Sequence, residues 1–436
     1  VLDAVLMGAG LRGMFAYGPA AEAAGVRFVE VVDPVAWRRE AFGAQHGIPA
    51  DRRHATVADW SAAPRPPGLR AAVVATPDHH HVAPALAALE AGLDVLVEKP
   101  LAPSPAECLA LVAAAERAGR QLHVCHVLRC TPFFGAVRDV VRSGRLGRIV
   151  TVEHRSNVDA LHMAHSYVRG AYGREDRSNP MLLAKCCHDL DLLGWILDDP
   201  MVRVSSFGSL AHYRPESAGP EIPERCTDGC PIESTCPWSA IAAYAPEAFP
   251  TGPEVRMLTA LFPLADPPSL DRAERLEALR TSPYGRCVYR CDNDVVDHQV
   301  VAMETASGTT VSLAMHGHSH DETRTMRYDG TRATLRATFG EHPSITVHDH
   351  GTGEVTEIDP GAGSGLDHGG GDGALLAAFA RSVLDADPEA ADEGADEAVT
   401  HASGALASHL VGFAAEEARR TGTVVDVAAF AAHHGA

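Results

Sequence analysis

The sequence predicts a two-domain α/β protein, and three observations carry that expectation. Short apolar runs alternate with amphipathic stretches up to about residue 130. A glycine-rich turn separates the first run from the first helical stretch. Longer alternating strands dominate the remainder. The first region (1–130) is expected to be a doubly wound parallel sheet, and the second (131–436) an α+β domain with a mostly antiparallel open sheet.

In chain order, Leu2–Met7, Val26–Val32, Leu69–Ala75, Leu93–Val97 and Leu122–Val127 are rich in Val and Leu without polar alternation, as parallel strands covered on both faces are. Helices are expected just after Gly10 and over Val35–Gln45, His81–Ala91 and Ser104–Ala118, the last with Pro105 in its first turn. Repeated strand and helix at this spacing implies right-handed crossovers. Past residue 131 the expectation is a helix Phe133–Ser143, a strand Arg148–Val158, a helix Met181–Leu197, and strands Val202–Leu210, Val295–Thr305 and Thr309–Met315. Residues 213–292, rich in Pro, Gly and Cys, read as an insertion. The acidic Asp385–Glu397 segment reads as a solvated helix start, and helix resumes to about Arg420.

Composition excludes several classes. With 46% hydrophobic and 22% charged residues over 436 positions, the chain is neither disordered, collagen-like nor a coiled coil. A formal charge of −20 repels phosphate backbones, so nucleic acid is not an expected partner. No apolar run approaches the roughly 20 residues of a membrane span, and the apolar N-terminus carries glycines rather than a signal core. The expectation is a soluble, cytoplasmic protein. Of 37 basic residues only Lys99 and Lys185 are lysines, which directs attention to positions where a titratable amine is wanted.

Four motifs carry chemistry. Gly8-Ala9-Gly10-Leu11-Arg12-Gly13 follows the first strand, and Asp33 closes the second strand 20 residues later. This is the Rossmann dinucleotide signature: the pyrophosphate rests on a helix N-terminus and the carboxylate accepts from the adenosine ribose. Asp33 favours NAD; Arg38 or Arg39 would partly offset its charge and keep NADP open. Ala75-Thr76-Pro77-Asp78-His79-His80-His81 ends the third strand, so Thr76 and Pro77 are expected beside the cofactor; consecutive histidines diverge and do not make a metal site. Val97-Glu98-Lys99-Pro100 ends the fourth strand and puts Lys99 at the crevice. Within the helix Met181–Leu197, Lys185 and His188 are three apart and share a face, a pairing suited to accepting a hydroxyl proton and holding an alkoxide. A structural His with a carboxylate partner is the alternative.

Together, the glycine turn, Thr76-Pro77 with His81, Glu98-Lys99-Pro100 and the His188 helix followed by an α+β domain resemble the Gfo/Idh/MocA oxidoreductases. The resemblance implies an NAD(P)-dependent dehydrogenase acting on a sugar, cyclitol or related polyol. It implies Lys99 and His188 as catalytic residues and His81 and Glu98 in the cofactor site. Homodimers or homotetramers through the open sheet face are also implied. The chain departs where many members carry an Asp four residues before the catalytic His: here that residue is Ala184, with Lys185 beside it. Lys185 therefore joins the expected catalytic set. Some relatives with altered second motifs resemble NAD-dependent glycoside hydrolases, which oxidise a sugar transiently, eliminate the aglycone and reduce the product. That activity is an alternative, and a non-catalytic dinucleotide sensor is a weaker one.

Beyond these motifs, His162–Gly170 is expected to supply substrate contacts through His165, Tyr167 and Arg169, with Asp189 beside them; a packed loop is an equal reading. Of ten cysteines, five lie in the insertion: Cys226, Cys230 and Cys236 as C-x3-C-x5-C, then Cys287 and Cys291. Thiolates at short spacing in a loop-rich segment suggest structural zinc on Cys226, Cys230, Cys236 and Cys287, with an iron–sulfur cluster or free thiols as alternatives. Asp292–Gln299 lacks the Gly and Glu of a calcium loop, so Asp297 and His298 are expected to be structural or on the substrate side. His316, His318 and His320 read as a surface stripe, and His368–Asp372 as a flexible substrate loop with Asp372 near a helix start.

Overall fold

Apolar runs become buried strands because both sheet faces of the first domain are covered. The computed structural model describes residues 1–248, 261–262, 271–361, 370–385 and 400–435. The acidic stretch after Asp385, and residues 368 and 369 of the glycine-rich loop, lie outside the described residues. The first domain contains β1 (Leu2–Met7), β2 (Val26–Val32), β3 (Arg53–His54), β4 (Leu69–Val74), β5 (Asp94–Val97) and β6 (Leu122–Val124). Helices α1 (Ala36–Gln45), α2 (Val82–Glu90) and α3 (Pro105–Ala118) connect strands of this domain. Helix α3 starts on Ser104, whose hydroxyl accepts the Glu107 N–H, and stops at Gly119, whose φ of 59° needs no Cβ.

The second domain opens with α4 (Pro132–Arg142) and then builds β7 (Ile149–Asp159), the long helix α5 (Met181–Leu197) and β8 (Met201–Ser209). After the insertion come β9 (His298–Thr305), β10 (Thr310–Ser319), β11 (Thr323–Gly330), β12 (Ala333–Phe339), β13 (Ser344–Asp349) and β14 (Val355–Ile358). Helices α6 (Gly371–Asp385) and α7 (Ala402–Thr421) follow, with the short strands β15 (Thr400–His401) and β16 (Val425–Asp426) on either side of α7.

The first sheet has the order β15-β6-β5-β4-β1-β2-β3, parallel except that β15 pairs antiparallel with β6. The second has the order β14-β13-β12-β11-β7-β10-β9-β8-β16, antiparallel except for the β7–β10 pair. One face of this sheet packs on α5 and α7; the other is open and carries Phe207 and Val300 as cross-strand neighbours, 73% and 46% exposed.

Three segments differ from expectation. The chain after Gly10 makes a wide π-type turn, Gly13–Tyr17, before one short α-turn, Gly18–Ala20. His162–Gly170 coils as well, its core Met163–Arg169 largely buried. The strand expected from Val295 begins only at His298, because the buried Asp297 carboxylate turns the chain by accepting the Ala211 and His212 N–H groups. The insertion has its own small core of Cys226, Ala240, Tyr244, Ala245, Leu261 and Leu279.

Candidate active site

The glycine turn is built by close backbone approach. Gly8 has φ of 104°, and a Cβ there would lie 2.6 Å from the Ala75 carbonyl oxygen. A Cβ on Gly13 would lie 2.2 Å from the Gly8 oxygen. At Gly10, by contrast, no described atom lies within 4 Å of the Cβ position, which leaves the open approach a pyrophosphate needs. Leu11 projects from the same turn, 52% exposed. The turn thus fits a dinucleotide at its expected place.

Asp33, 4% exposed, ends β2. Its Oδ2 accepts the Ala9 N–H and its Oδ1 the Val35 N–H, each at 2.8 Å. Burial pushes this carboxyl up, against the backbone donors and the charges of Arg38 and Arg39. A carboxylate has about four lone-pair sites, so two bonds leave acceptor capacity for ribose hydroxyls. Arg38 stacks on Trp37 at 5.6 Å, while Arg39 donates to the Asp33 backbone carbonyl at 2.7 Å.

Arg12 is committed elsewhere than to a phosphate. Its guanidinium contacts Glu98 at 2.5 Å and Asp372 at 2.6 Å, and lies 5.0 Å from the Tyr17 ring centroid. Tyr17 also donates to Glu98. Burial alone would raise the Glu98 carboxyl, but Arg12, Tyr17 and Lys99 hold it below its ordinary range. Arg12 and Glu98, expected as cofactor ligands, are therefore a strut between the glycine turn, the end of β5 and α6. Tyr17 is the member that sequence reading missed, since nothing in its local pattern distinguishes it from a core tyrosine.

The two strand-end loops are tied by His81. Its Nδ1 lies 2.8 Å from the Pro100 carbonyl and its Nε2 2.9 Å from the Thr76 carbonyl. Both neighbours are acceptors, so a doubly protonated ring satisfies both. Thr76 Oγ1 donates to the His80 carbonyl at 2.9 Å, and Pro77 continues extended into the following turn. The first loop also meets the second domain: Asp78 accepts from Ser178 at 2.9 Å and Asn179 at 3.1 Å. Those two residues, just before α5, carried no recognisable sequence signal.

Lys99, followed by a cis peptide to Pro100, donates through Nζ to the Ala184 carbonyl at 2.9 Å. In an α-helix that carbonyl is also the acceptor for the N–H four residues on, which is His188. The strand-end lysine and the helix histidine are thereby brought within one turn of each other. His188 is 5% exposed and its ring lies 5.8 Å from that of His126. Helix α5 is buried along almost its whole length, so each polar residue on it needs a partner.

Lys185 finds its partner in Glu322, which also lies 3.1 Å from His162. Burial would raise the Glu322 carboxyl, but Lys185 and His162 hold it well below the ordinary range. Lys185 is thus one half of an ion pair.

The expected substrate residues are placed differently. Asp189, fully buried, turns to the second sheet, where His154 Nε2 and Arg324 Nε each approach Oδ1 at 2.8 Å. Those partners overcome the effect of burial and keep it strongly acidic. His165 contacts Tyr244 Oη at 2.6 Å and stacks on Tyr284 at 4.9 Å; burial lowers it to about 4. Arg169 donates to the Arg286 and Trp238 carbonyls at 2.7 and 2.6 Å. Tyr167 is buried beside Tyr172. His165 and Arg169 fasten the insertion to the second domain because the segment coils inward instead of forming an open loop.

The zinc expectation is not met. Cys226, Cys230, Cys236 and Cys287 do line one cavity, but among the described residues no group of three or more His, Cys, Asp or Glu is arranged to hold a metal ion. All ten cysteines are free. Burial pushes the Cys236 and Cys287 thiols up, toward the protonated form that does not bind metal.

A parallel dinucleotide-type sheet, a strand-end lysine and a helix histidine at its crevice define a nicotinamide-dependent oxidoreductase architecture. The chain matches the family model described as oxidoreductase family, NAD-binding Rossmann fold, over residues 2–126, and the GFO/IDH/MocA C-terminal domain over residues 134–229; it belongs to this oxidoreductase family. It is 24% identical over 277 residues to the oxidoreductase YteT of Bacillus subtilis, covering 64% of this chain and 60% of that protein. It is 36% identical over 141 residues to inositol 2-dehydrogenase 1 of Saccharopolyspora erythraea, covering 32% of this chain and 38% of that protein. The chain thus spans less than two thirds of the length of either relative. A structure of an oxidoreductase from Agrobacterium radiobacter in complex with NAD+, L-tartaric acid and magnesium superposes with a TM-score of 0.66 at 16% identity, covering 98% of this chain and 99% of that one, which shows the fold. Among the described residues no helix is long and apolar enough to cross a membrane.

Proposed function

We propose that the protein is an NAD-dependent dehydrogenase that interconverts a secondary alcohol and a ketone on a sugar, cyclitol or related polyol. The observation that carries this reading is the Lys99 ammonium seated on the Ala184 carbonyl, one helical turn from His188. When bound, the nicotinamide cofactor accepts or returns the hydride. Lys99 holds the substrate oxygen and balances alkoxide charge, and His188 takes the hydroxyl proton in the oxidative direction. Lys185, paired with Glu322, adds fixed charge beside them. Asp33 supports NAD over NADP, since a 2′-phosphate beside its carboxylate would be repelled. The inositol dehydrogenase relative supports the polyol class. A homodimer through the open sheet face around Phe207 and Val300 is part of the same proposal.

The test is incubation with NAD and a panel of free sugars, cyclitols and glycosides, with reduced cofactor and released aglycone followed in the same wells. Net reduced cofactor on a free polyol is the expected result. Cleavage that requires NAD yet leaves it oxidised would replace this reading by a redox-neutral glycosidase, and NAD binding without turnover by a sensor.

A further inference from the structure

The carboxylate usual four residues before the catalytic histidine is absent here, where Ala184 stands, yet a buried carboxylate lies on the other side of His188. Asp191 is three residues on, hence on the same helix face, and is 1% exposed. Arg129 binds it with both arms, Nε to Oδ2 and Nη2 to Oδ1 at 2.6 Å each. His126 Nδ1 lies 2.8 Å from Oδ1. Burial would raise this carboxyl, but His126 and Arg129 hold it well below the ordinary range, so it stays charged.

His126, itself 1% exposed, stands between that carboxylate and two other imidazoles. Its ring meets His188 edge to face at 5.8 Å and stacks on His409 at 5.7 Å. An Nδ1 facing a carboxylate carries the proton, which leaves Nε2 as a lone pair; that atom is buried with no hydrogen-bond partner among the described residues. His409 is neutral: its Nδ1 donates to the Ala405 carbonyl at 2.7 Å, its Nε2 accepts the Leu101 N–H at 2.9 Å, and burial lowers it to about 4.

We propose that Asp191, His126 and Arg129 form the positioning cluster of His188: they fix its ring toward the crevice and supply the charge balance when it accepts a proton. The inference rests on the function proposed above. Its physical need is plain from the groups around His188. Lys99 approaches from the loop after β5 and Lys185 from its own helix, the latter paired with Glu322. His126 and Arg129 come from the segment after β6, and His409 from α7. A proton on His188 therefore adds a third cation beside two lysines, and Asp191 is the carboxylate on that helix not turned away to the second sheet.

The cluster predicts shifts of opposite sign. Asp191→Asn removes the negative charge, so His188 loses proton affinity and its titration midpoint falls by about one unit. Arg129→Met leaves the carboxylate unbalanced and raises the midpoint by a similar amount. The midpoint is read by NMR of ¹³C-labelled histidines in the full-length protein, with His188→Asn giving the assignment. The acid limb of kcat/KM should move with it while KM stays near the parent value. A purely structural role would move Tm but not produce two midpoints on opposite sides of the parent. Midpoints that are unmoved, or that move in one direction for both folded variants, overturn the inference. Should Asp191→Asn fail to fold, Arg129→Met decides alone, a rise supporting the inference and any other result overturning it. Normal polyol oxidation with unmoved midpoints sinks this inference only; opposite shifts in a protein without NAD-dependent turnover sink the proposed function instead.

Discussion

At the residue scale, the clearest division is between groups that hold the site together and groups left to act. Asp33 satisfies two backbone N–H groups of the turn around it, so Asp33→Ala leaves both without a partner in a buried place. Each such loss costs about 1–3 kcal/mol. The expected outcome is a lower Tm together with weaker NAD binding, read by calorimetry and fluorescence titration. Lys99 has a different profile. Its single printed bond is to a helix carbonyl already served by the helix, so Lys99→Met should leave Tm near the parent value while kcat falls about 10²–10⁴-fold. Lys99→Arg should not restore activity, because arginine offers no titratable amine and a wider head.

At the element scale, the glycine turn separates space needed by the fold from space needed by a ligand. A methyl at Gly13 meets the Gly8 oxygen at 2.2 Å, and backbone cannot swing aside as a side chain can. Gly13→Ala is expected to destabilise by at least about 1–3 kcal/mol in urea unfolding. Gly10→Ala meets nothing within 4 Å, so it should unfold at nearly the parent midpoint yet bind NAD more weakly. Equal loss of stability in the two variants would contradict this division. The same turn was legible as a motif, but its π-type continuation was not, since period alone does not distinguish a wide turn from an ordinary helix start.

At the scale of the whole molecule, buried titratable groups set the response to acid. His123 is lowered to about 3, and His165 and His409 to about 4, all by burial. The unfolded chain binds protons at these positions below about pH 6.5 while the folded chain does not, so stability falls as pH drops from there toward 4. Asp189, Asp191 and Glu322 lie below their ordinary range, so their contribution is complete above about pH 4 and is lost as pH falls further. Tm measured from pH 8 to 3 should therefore decline from near 6.5 and steepen below 4; His123→Gln should flatten the first slope. In the proposed dimer, Phe207→Glu should yield a monomer by light scattering, with the fold intact because that face covers no core of its own chain.

The amino-acid order by itself determined the architecture and the cofactor half of the site. Gly8, Gly13 and Asp33 act through local backbone geometry next to their own strands, and local geometry is what a one-dimensional pattern records. Lys99 and His188 were legible for the same reason, each standing at a recognisable place on one element. Tertiary structure alone decided which partner each polar group took. His165 and Arg169 face the insertion, Asp189 faces the second sheet and Asp191 faces His126, although all four are polar residues on or near one helix. The physical reason is burial. A helix surrounded on all sides leaves each charge to be satisfied by whatever element the fold brings against it, and those elements come from positions far apart in the chain.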